Sequence, residues 1–432
     1  MHLRTRAERR AAHLTIIASV VVMGSVALAN EDTALVPSGV RPAIKGVVID
    51  SAGRGIAEAR VDIATATPRV GRGMFCPSCY RDCAKWTETD QDGKFEITDL
   101  DPTLRFQVLF TAVGKAAHVT NHIDPLLGSL TIKLNDAPTN LPPEHTVRGL
   151  LVNEQGVPIR GALVDPEGAK TADRRWWGRV DGVVATVSDR DGRFVMALPA
   201  SFQGVDLEVA ADGYAGVAVA LVAPGEQEHR IVVPAGARVV GVLEYEGKPV
   251  AASRIAVVQV NRNAGKHFIK AVEAITDERG RFEFDHLPAA QPYVIFTPVM
   301  GNPTDLVLGT KKFMVPADGQ MRDLGTLTAI PGLRLAGRID APEGLSLPPH
   351  AKLSLHRDPA WDLISLDVGP DGRFETNGLA PETYIVRLPF KEFVLDTERL
   401  TYQMTNGNQE FGIRITAPID ELLIPLQPTP AK

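Results

Sequence analysis

The sequence predicts an all-β protein, built as four tandem seven-stranded β-sandwich domains after a signal peptide. Three observations carry that expectation. A heptapeptide turn recurs four times. The stretches after it alternate apolar and polar residues with period two. No segment sustains the 3.6-residue period of a helix. The heptapeptides are Thr89–Phe95, Ser188–Phe194, Thr276–Phe282 and Val368–Phe374, and their glycines are Gly93, Gly192, Gly280 and Gly372. The steps between those glycines are 99, 88 and 92 residues, about one domain each. Asp before Gly is hairpin chemistry: the carboxylate bonds backbone N–H groups ahead of it, and Gly supplies the positive φ. The Phe that closes each copy is expected to start the next strand facing inward.

The first 29 residues read as a signal peptide. Arg4, Arg6, Arg9 and Arg10 form a basic start, Leu14 to Val26 an apolar run, and Ala27-Leu28-Ala29 a cleavage site. If the segment stays uncleaved, the same run is a membrane anchor. Residues 30–41, polar and Pro-containing, read as a flexible lead-in. The four sandwiches are then expected at 42–135, 144–234, 237–329 and 332–427. Each opens with two short strands about a Gly or Pro turn, as in Ile44–Asp50 and Ala59–Ile63, or Val147–Val152 and Leu163–Val164. A loop of variable length follows, then the Asp-Gly hairpin. Next comes an alternating strand: Phe106, Val108, Phe110; Leu207, Val209; Tyr293, Ile295; Tyr384, Val386, Leu388. A last strand such as Leu130–Leu134 closes the unit. About seven strands in ~90 residues, with turn signals every 8–12 residues, is sandwich patterning. The joint Asn135–Pro143 is Pro-rich and semi-flexible; those at Pro234–Ala237 and Ile330–Gly332 are short.

The motif order of the second repeat is Gly149, then Gly156-Val157-Pro158-Ile159-Arg160-Gly161-Ala162, Asp189 to Phe194, Leu198-Pro199 and Gly213-Tyr214. It resembles the carboxypeptidase regulatory-like domain, and the resemblance extends over nearly all of 43–427. The fourth repeat departs from it, with Gly369-Pro370 within the turn and no Gly-Tyr. The resemblance implies a prealbumin-like (transthyretin-like) sandwich. It also implies an exported accessory module of bacterial type, with no chemistry of its own.

Charge and composition exclude some partners. The formal charge is −6, and loss of residues 1–29, with four Arg and one Glu, leaves −9. A mildly acidic exported chain is a poor nucleic-acid binder. His-x-x-Glu, His-Glu-x-x-His and Gly-x-Ser-x-Gly are absent, and Gly247-Lys248 is followed by Pro249, so no phosphate loop forms there. The chain is therefore not expected to be an enzyme, and no cofactor is expected except a metal ion at one place.

That place is Cys76-Pro77-Ser78-Cys79-Tyr80-Arg81-Asp82-Cys83, which holds all three cysteines of the chain. Three readings stay open. One disulfide plus a spare thiol would make a structural clip. Cys76, Cys79 and Cys83 could hold a metal, with His118 or His122 as fourth ligand, because the C-x2-C spacing suits one tetrahedral ion. Cys76 and Cys79 could form a redox pair, though no βαβ context accompanies them. Tyr80 stands where haem attachment needs His.

A second candidate is Arg174-Arg175-Trp176-Trp177-Gly178-Arg179. Aromatic faces flanked by Arg bind sugar rings or peptides; the plainer role is to cap the sandwich. The loop before each Asp-Gly hairpin occupies the same place in every repeat and carries an aromatic and a basic residue. The first has Trp86, the second Arg174 to Arg179, the third Asn261 to Phe268, and the fourth His356 to Trp361. The expected function is an exported, non-catalytic binding or scaffolding protein. Its partner would be a protein or a glycan at the cell envelope, in the periplasm or outside the cell, met by these loops and by Arg174, Arg175, Trp176, Trp177 and Trp361. The alternative is a metal or redox function at Cys76, Cys79 and Cys83.

Overall fold

The computed structural model describes residues 41–69, 80–178, 180–261, 272–299, 304–357, 360, 362–407 and 409–430. These residues form β-sandwiches whose strands gather into four successive groups, each with its own apolar core. In the first group Ile44–Ile49 is central to a three-stranded sheet, antiparallel to Lys94–Ile97 and parallel to Leu130–Lys133. The facing sheet has the order Trp86–Glu88, Arg60–Pro68, Leu104–Thr111, His118–Val119. Val48, Val61, Phe95, Phe106, Phe110 and Leu134 meet between the two.

The later groups repeat this frame and extend its edges. The second pairs a three-stranded with a five-stranded sheet, the third two four-stranded sheets, and the fourth a four- with a five-stranded sheet. In all four the opening strand lies antiparallel to the strand after the Asp-Gly turn and parallel to a late strand. The period-two patterns match the burial. In Arg193–Ala197, Phe194 and Met196 are buried between exposed neighbours, and Phe282 and Phe284 are buried in Arg281–Leu287.

The recurring heptapeptide has one backbone turn in all four copies and one side-chain pattern in three of them. Asp189 Oδ1 accepts the N–H groups of Asp191 (2.9 Å) and Arg193 (2.8 Å), and Gly192 takes φ +76°. Asp90 and Asp277 do the same in their own turns. In the fourth turn Gly369 replaces this Asp, and Asp371 Oδ1 instead accepts from Arg373 N at 3.1 Å. The backbone turn survives, since Gly372 N still donates to Gly369 O at 2.9 Å. A Cβ on Gly192 would lie 2.4 Å from Leu151 O, so this glycine is needed for its close approach as well as its φ.

The closing Phe pairs with a glycine on the opening strand: Phe95 with Gly46, Phe194 with Gly149, Phe282 with Gly241, Phe374 with Gly337. A Cβ on Gly149 would lie 2.2 Å from the Phe194 ring. The ring covers its cross-strand glycine, which removes the weakness of Gly in a strand. The turn residue before Asp adds a buried tie in three repeats. Ser188 Oγ, for example, donates to Ile159 O at 2.7 Å and accepts from Ala162 N at 3.0 Å. Thr89 and Thr276 make the matching bonds. Val368 stands at this position in the fourth repeat and is buried as a hydrocarbon.

The sandwiches are packed on one another rather than strung out. Leu109 of the first meets Leu163, Ala185 and Val187 of the second in a small apolar cluster. Arg81 of the first lies 3.6 Å from Glu273 of the third, and Arg254 is 3.5 Å from the same carboxylate. Burial, opposed by the two guanidiniums, raises the Glu273 carboxyl above its ordinary range. His286 Nδ1 of the third lies 2.9 Å from Ala235 O at the joint with the second.

Candidate functional site

Of the cysteine loop, Cys76 and Cys79 lie outside the described residues. Cys83 sits in the short 3-10 turn Arg81–Ala84 and is buried against the first core. Beside it Asp82 is also buried; its carboxylate accepts from Asp101 N at 2.8 Å and pairs with Lys85 Nζ at 2.9 Å. His118 and His122 are exposed, and the His118 ring stands 6.4 Å from that of Phe110. Among the described residues, no three His, Cys, Asp or Glu come together as a metal site.

The Arg-Trp segment forms the edge strand Arg175–Trp177, antiparallel to Leu163–Thr171. Alternation along the strand sends its two indoles to opposite faces. Trp176 is half-buried, packs on the second core and meets the Phe202 ring edge-on at 5.7 Å. Its exposed side is covered by Arg174, 4.5 Å from the ring centroid. Trp176 therefore takes the capping role. Trp177 lies on the other face with Arg175 at 5.6 Å, and Arg175 Nη2 reaches the buried Asp206 carboxylate at 3.0 Å. Asp206 Oδ1 also accepts Leu221 N at 2.8 Å, so this carboxylate ties three strands together. Arg179 lies outside the described residues.

In the fourth repeat the corresponding loop is not a free surface. Arg357 is 1% exposed. Its Nη2 donates to Thr297 O at 2.9 Å, on the third sandwich, and to Asp362 at 2.5 Å, while Nη1 reaches Glu382 at 3.3 Å. The guanidinium lies between the rings of Phe296 (5.1 Å) and Tyr384 (5.9 Å). Glu382 in turn accepts both N–H and O–H of Thr310, and Asp362 accepts Val299 N at 3.1 Å. Burial pushes the Tyr384 phenol up to about 12, and it stays a donor to Ala380 O at 3.2 Å. Ala360 packs on Ala256, Val258, Val294 and Phe296, covering the outer face of the third sandwich. The loop is thus a joint between neighbours. Trp361, and residues 262–271 of the third loop, lie outside the described residues.

The first loop does open on a cavity. A cleft of about 960 Å³ lies between the first and second sandwiches. Its floor is Trp86, 38% exposed, on the edge strand Trp86–Glu88. Arg60 stacks on one face of the indole at 4.1 Å and is itself held by Asp62, with contacts of 3.0–3.1 Å. Across the cleft Arg160 of the second sandwich pairs with Glu58 of the first at 3.1 Å. Glu88, Asp189, Arg190, Asp191 and Asp212 are among its other polar lining residues. The sequence puts Trp86 in the first variable loop without distinguishing it from the other loop aromatics. The residues that make it a floor come from a different strand and from the next sandwich.

The fold defines the chain as an all-β, tandem-sandwich protein. No protein-family model matches it, and no curated protein does. Among solved structures, it is similar over 92% of its length to the Bacillus anthracis TIE protein, at 10% identity, covering 76% of that chain with a TM-score of 0.20. It is also similar over 45% of its length to a minor pilin of Streptococcus agalactiae, at 12% identity, 98% of that chain and a TM-score of 0.23. A shaft pilin of Lactobacillus rhamnosus GG is similar over 46% of this chain, at 11% identity, 99% of that chain and a TM-score of 0.19. The sandwich class rests on the strand pairing itself. Among the described residues, no helix is long and apolar enough to cross a membrane.

Proposed function

We propose that the chain is an exported, non-catalytic binding and scaffolding protein of the cell envelope, assembled from carboxypeptidase regulatory-like repeats. The observation that carries this reading is the use of the variable loops. One loop locks neighbouring sandwiches through Arg357, and another opens a cleft between two sandwiches whose relative position is held by buried contacts. A rigid framework that presents a preformed concavity is what a binding module requires. The Arg-rich signal and the acidic balance of the remaining chain agree with export. Partners are a protein or a glycan, met at the cleft and at the outward face of Trp177.

The test has two arms. Purified protein, freed of residues 1–29, is assayed for hydrolysis of peptides and glycans and used to capture cross-linked partners from envelope fractions. The reading expects no turnover and a defined partner. Turnover that disappears on a single substitution would overturn it. The metal or redox alternative at Cys76, Cys79 and Cys83 is decided by metal analysis with thiol counting on the same preparation. One disulfide with one thiol supports the clip. Three thiolates with one bound ion support the metal.

A further inference from the structure

We propose that the cleft between the first and second sandwiches is a binding site for a neutral oligosaccharide segment, with Trp86 as its stacking platform. The inference rests on the binding-module reading and gives it a place and a ligand class. The indole comes first. Trp86 is exposed at the floor of a concavity of about 960 Å³, at the upper end of the ~300–1,000 Å³ usual for small-ligand sites. Arg60, which also lines the cleft, stacks on one face of its ring at 4.1 Å, and the Arg60–Asp62 contacts fix that guanidinium. The platform is therefore ordered before a ligand arrives, which lowers the entropy lost on binding.

The Arg60 contact also bears on what stacks there. One face of the indole already serves a cation. The ring's negative face is already drawn toward Arg60, so a second cation on the opposite face gains less from it. The C–H face of a sugar carries no net charge and meets no such loss, while it removes apolar ring surface from water.

The rim is of mixed sign. Glu58, Glu88, Asp189, Asp191 and Asp212 are acceptors; Arg60, Arg160 and Arg190 are donors. The Glu58–Arg160 pair at 3.1 Å crosses from one sandwich to the other at the same cleft. A hydroxyl both donates and accepts, so a polyhydroxylated chain can satisfy both kinds of group along its length. A basic peptide would pair with the carboxylates but would set like charge against Arg60, Arg160 and Arg190.

Isothermal titration of the full mature chain tests this with maltohexaose, cellohexaose, chitohexaose and hexalysine as probes. At least one hexasaccharide is expected to bind with one-to-one stoichiometry and to quench tryptophan fluorescence. Trp86→Ala should weaken that binding at least tenfold and remove the quench; Trp86→Phe should keep part of it. Because Trp86 lies on an exposed edge strand, the melting temperature of Trp86→Ala should stay near wild type, which separates lost binding from lost fold. Binding of none of the hexasaccharides, equal binding by Trp86→Ala, or binding of hexalysine alone would overturn the proposal. Capture of an envelope partner without hexasaccharide binding leaves the module reading standing and removes the cleft. Hexasaccharide binding followed by cleavage does the reverse.

Discussion

At residue scale the four turns depend on glycines that no other residue replaces. Gly192 has φ +76°, and a Cβ there would press on Leu151 O at 2.4 Å. Gly192→Ala is therefore expected to cost about 2 kcal/mol or more, since strain and overlap add. Urea unfolding of the second sandwich is the check; an unchanged midpoint would mean that the turn relaxes freely. Asp50 makes a pH prediction. Its carboxylate accepts the N–H of Arg54 (2.9 Å) and of Ala52 (2.9 Å), and the Arg54 guanidinium also bonds it at 2.9 Å. The Arg54 N–H bond leads in holding the carboxyl below its ordinary 3.8, against the opposing effect of burial. A depressed carboxyl stabilises the fold above its unfolded value, and that stabilisation is lost as pH falls through the folded value. Asp50→Asn keeps an acceptor but no charge. The wild type should therefore exceed the variant in melting temperature at neutral pH and lose that advantage below about pH 3.8. A difference independent of pH would exclude the charge as its source.

At the scale of elements, the edge strand Arg175–Trp177 separates two tryptophans that adjoin in sequence. Trp176 packs on the core and Phe202, while Trp177 faces outward with Arg175. Trp176→Ala should cost about 2 kcal/mol, less than the roughly 3–5 of a fully buried aromatic. Trp177→Ala should stay within about 0.5 kcal/mol. Parallel thermal melts of the two variants test the assignment, and equal losses would refute it. The same alternation explains why Trp86 and Glu88 stay exposed on their three-residue strand while Thr87 between them is partly covered. An edge strand leaves its side chains to whatever lies beyond the sheet, which here is the cleft.

At the scale of the whole molecule, Arg357 is the decisive contact between the third and fourth sandwiches. Arg357→Met would leave the half-buried Asp362 and Glu382 without their cation. The expected loss is about 3–5 kcal/mol, with broader small-angle scattering profiles as the joint loosens. A melt and a scattering profile identical to wild type would show that the joint does not depend on this charge. The link between the first two sandwiches behaves differently. Residues 135–145 are Pro-rich, and protease is expected to cut there first. The Leu109–Leu163–Val187 cluster and the Arg160–Glu58 pair should then hold the two fragments together in native buffer. Separation on gel filtration without denaturant would show that the covalent link, rather than the packed face, keeps them adjacent.

The chain itself determined the sandwich class, the four turns and their inward Phe residues, because these follow from local chemistry. Asp and Gly at fixed offsets make the turn, and alternation sets which face is buried. Even the partner glycine of each Phe, as at Gly149 and Phe194, stands in the sequence, although its purpose shows only in the cross-strand register. What the loops do was decided by tertiary structure. The composition of His356–Trp361 is that of a binding loop, yet Arg357 is buried between two sandwiches, since Asp362, Glu382 and Thr297 converge on it from separated strands. Arg254–Gln259 is buried on both faces for a similar reason: Ala360 of the next sandwich covers the side that a lone sandwich would leave wet. Trp86 became the floor of a cleft because Arg60 supports it from the adjacent strand and the second sandwich supplies the opposite wall. Local patterns specify which side chains leave a strand and on which side. What they meet there depends on contacts between residues distant in sequence, and those exist only once the sandwiches have packed.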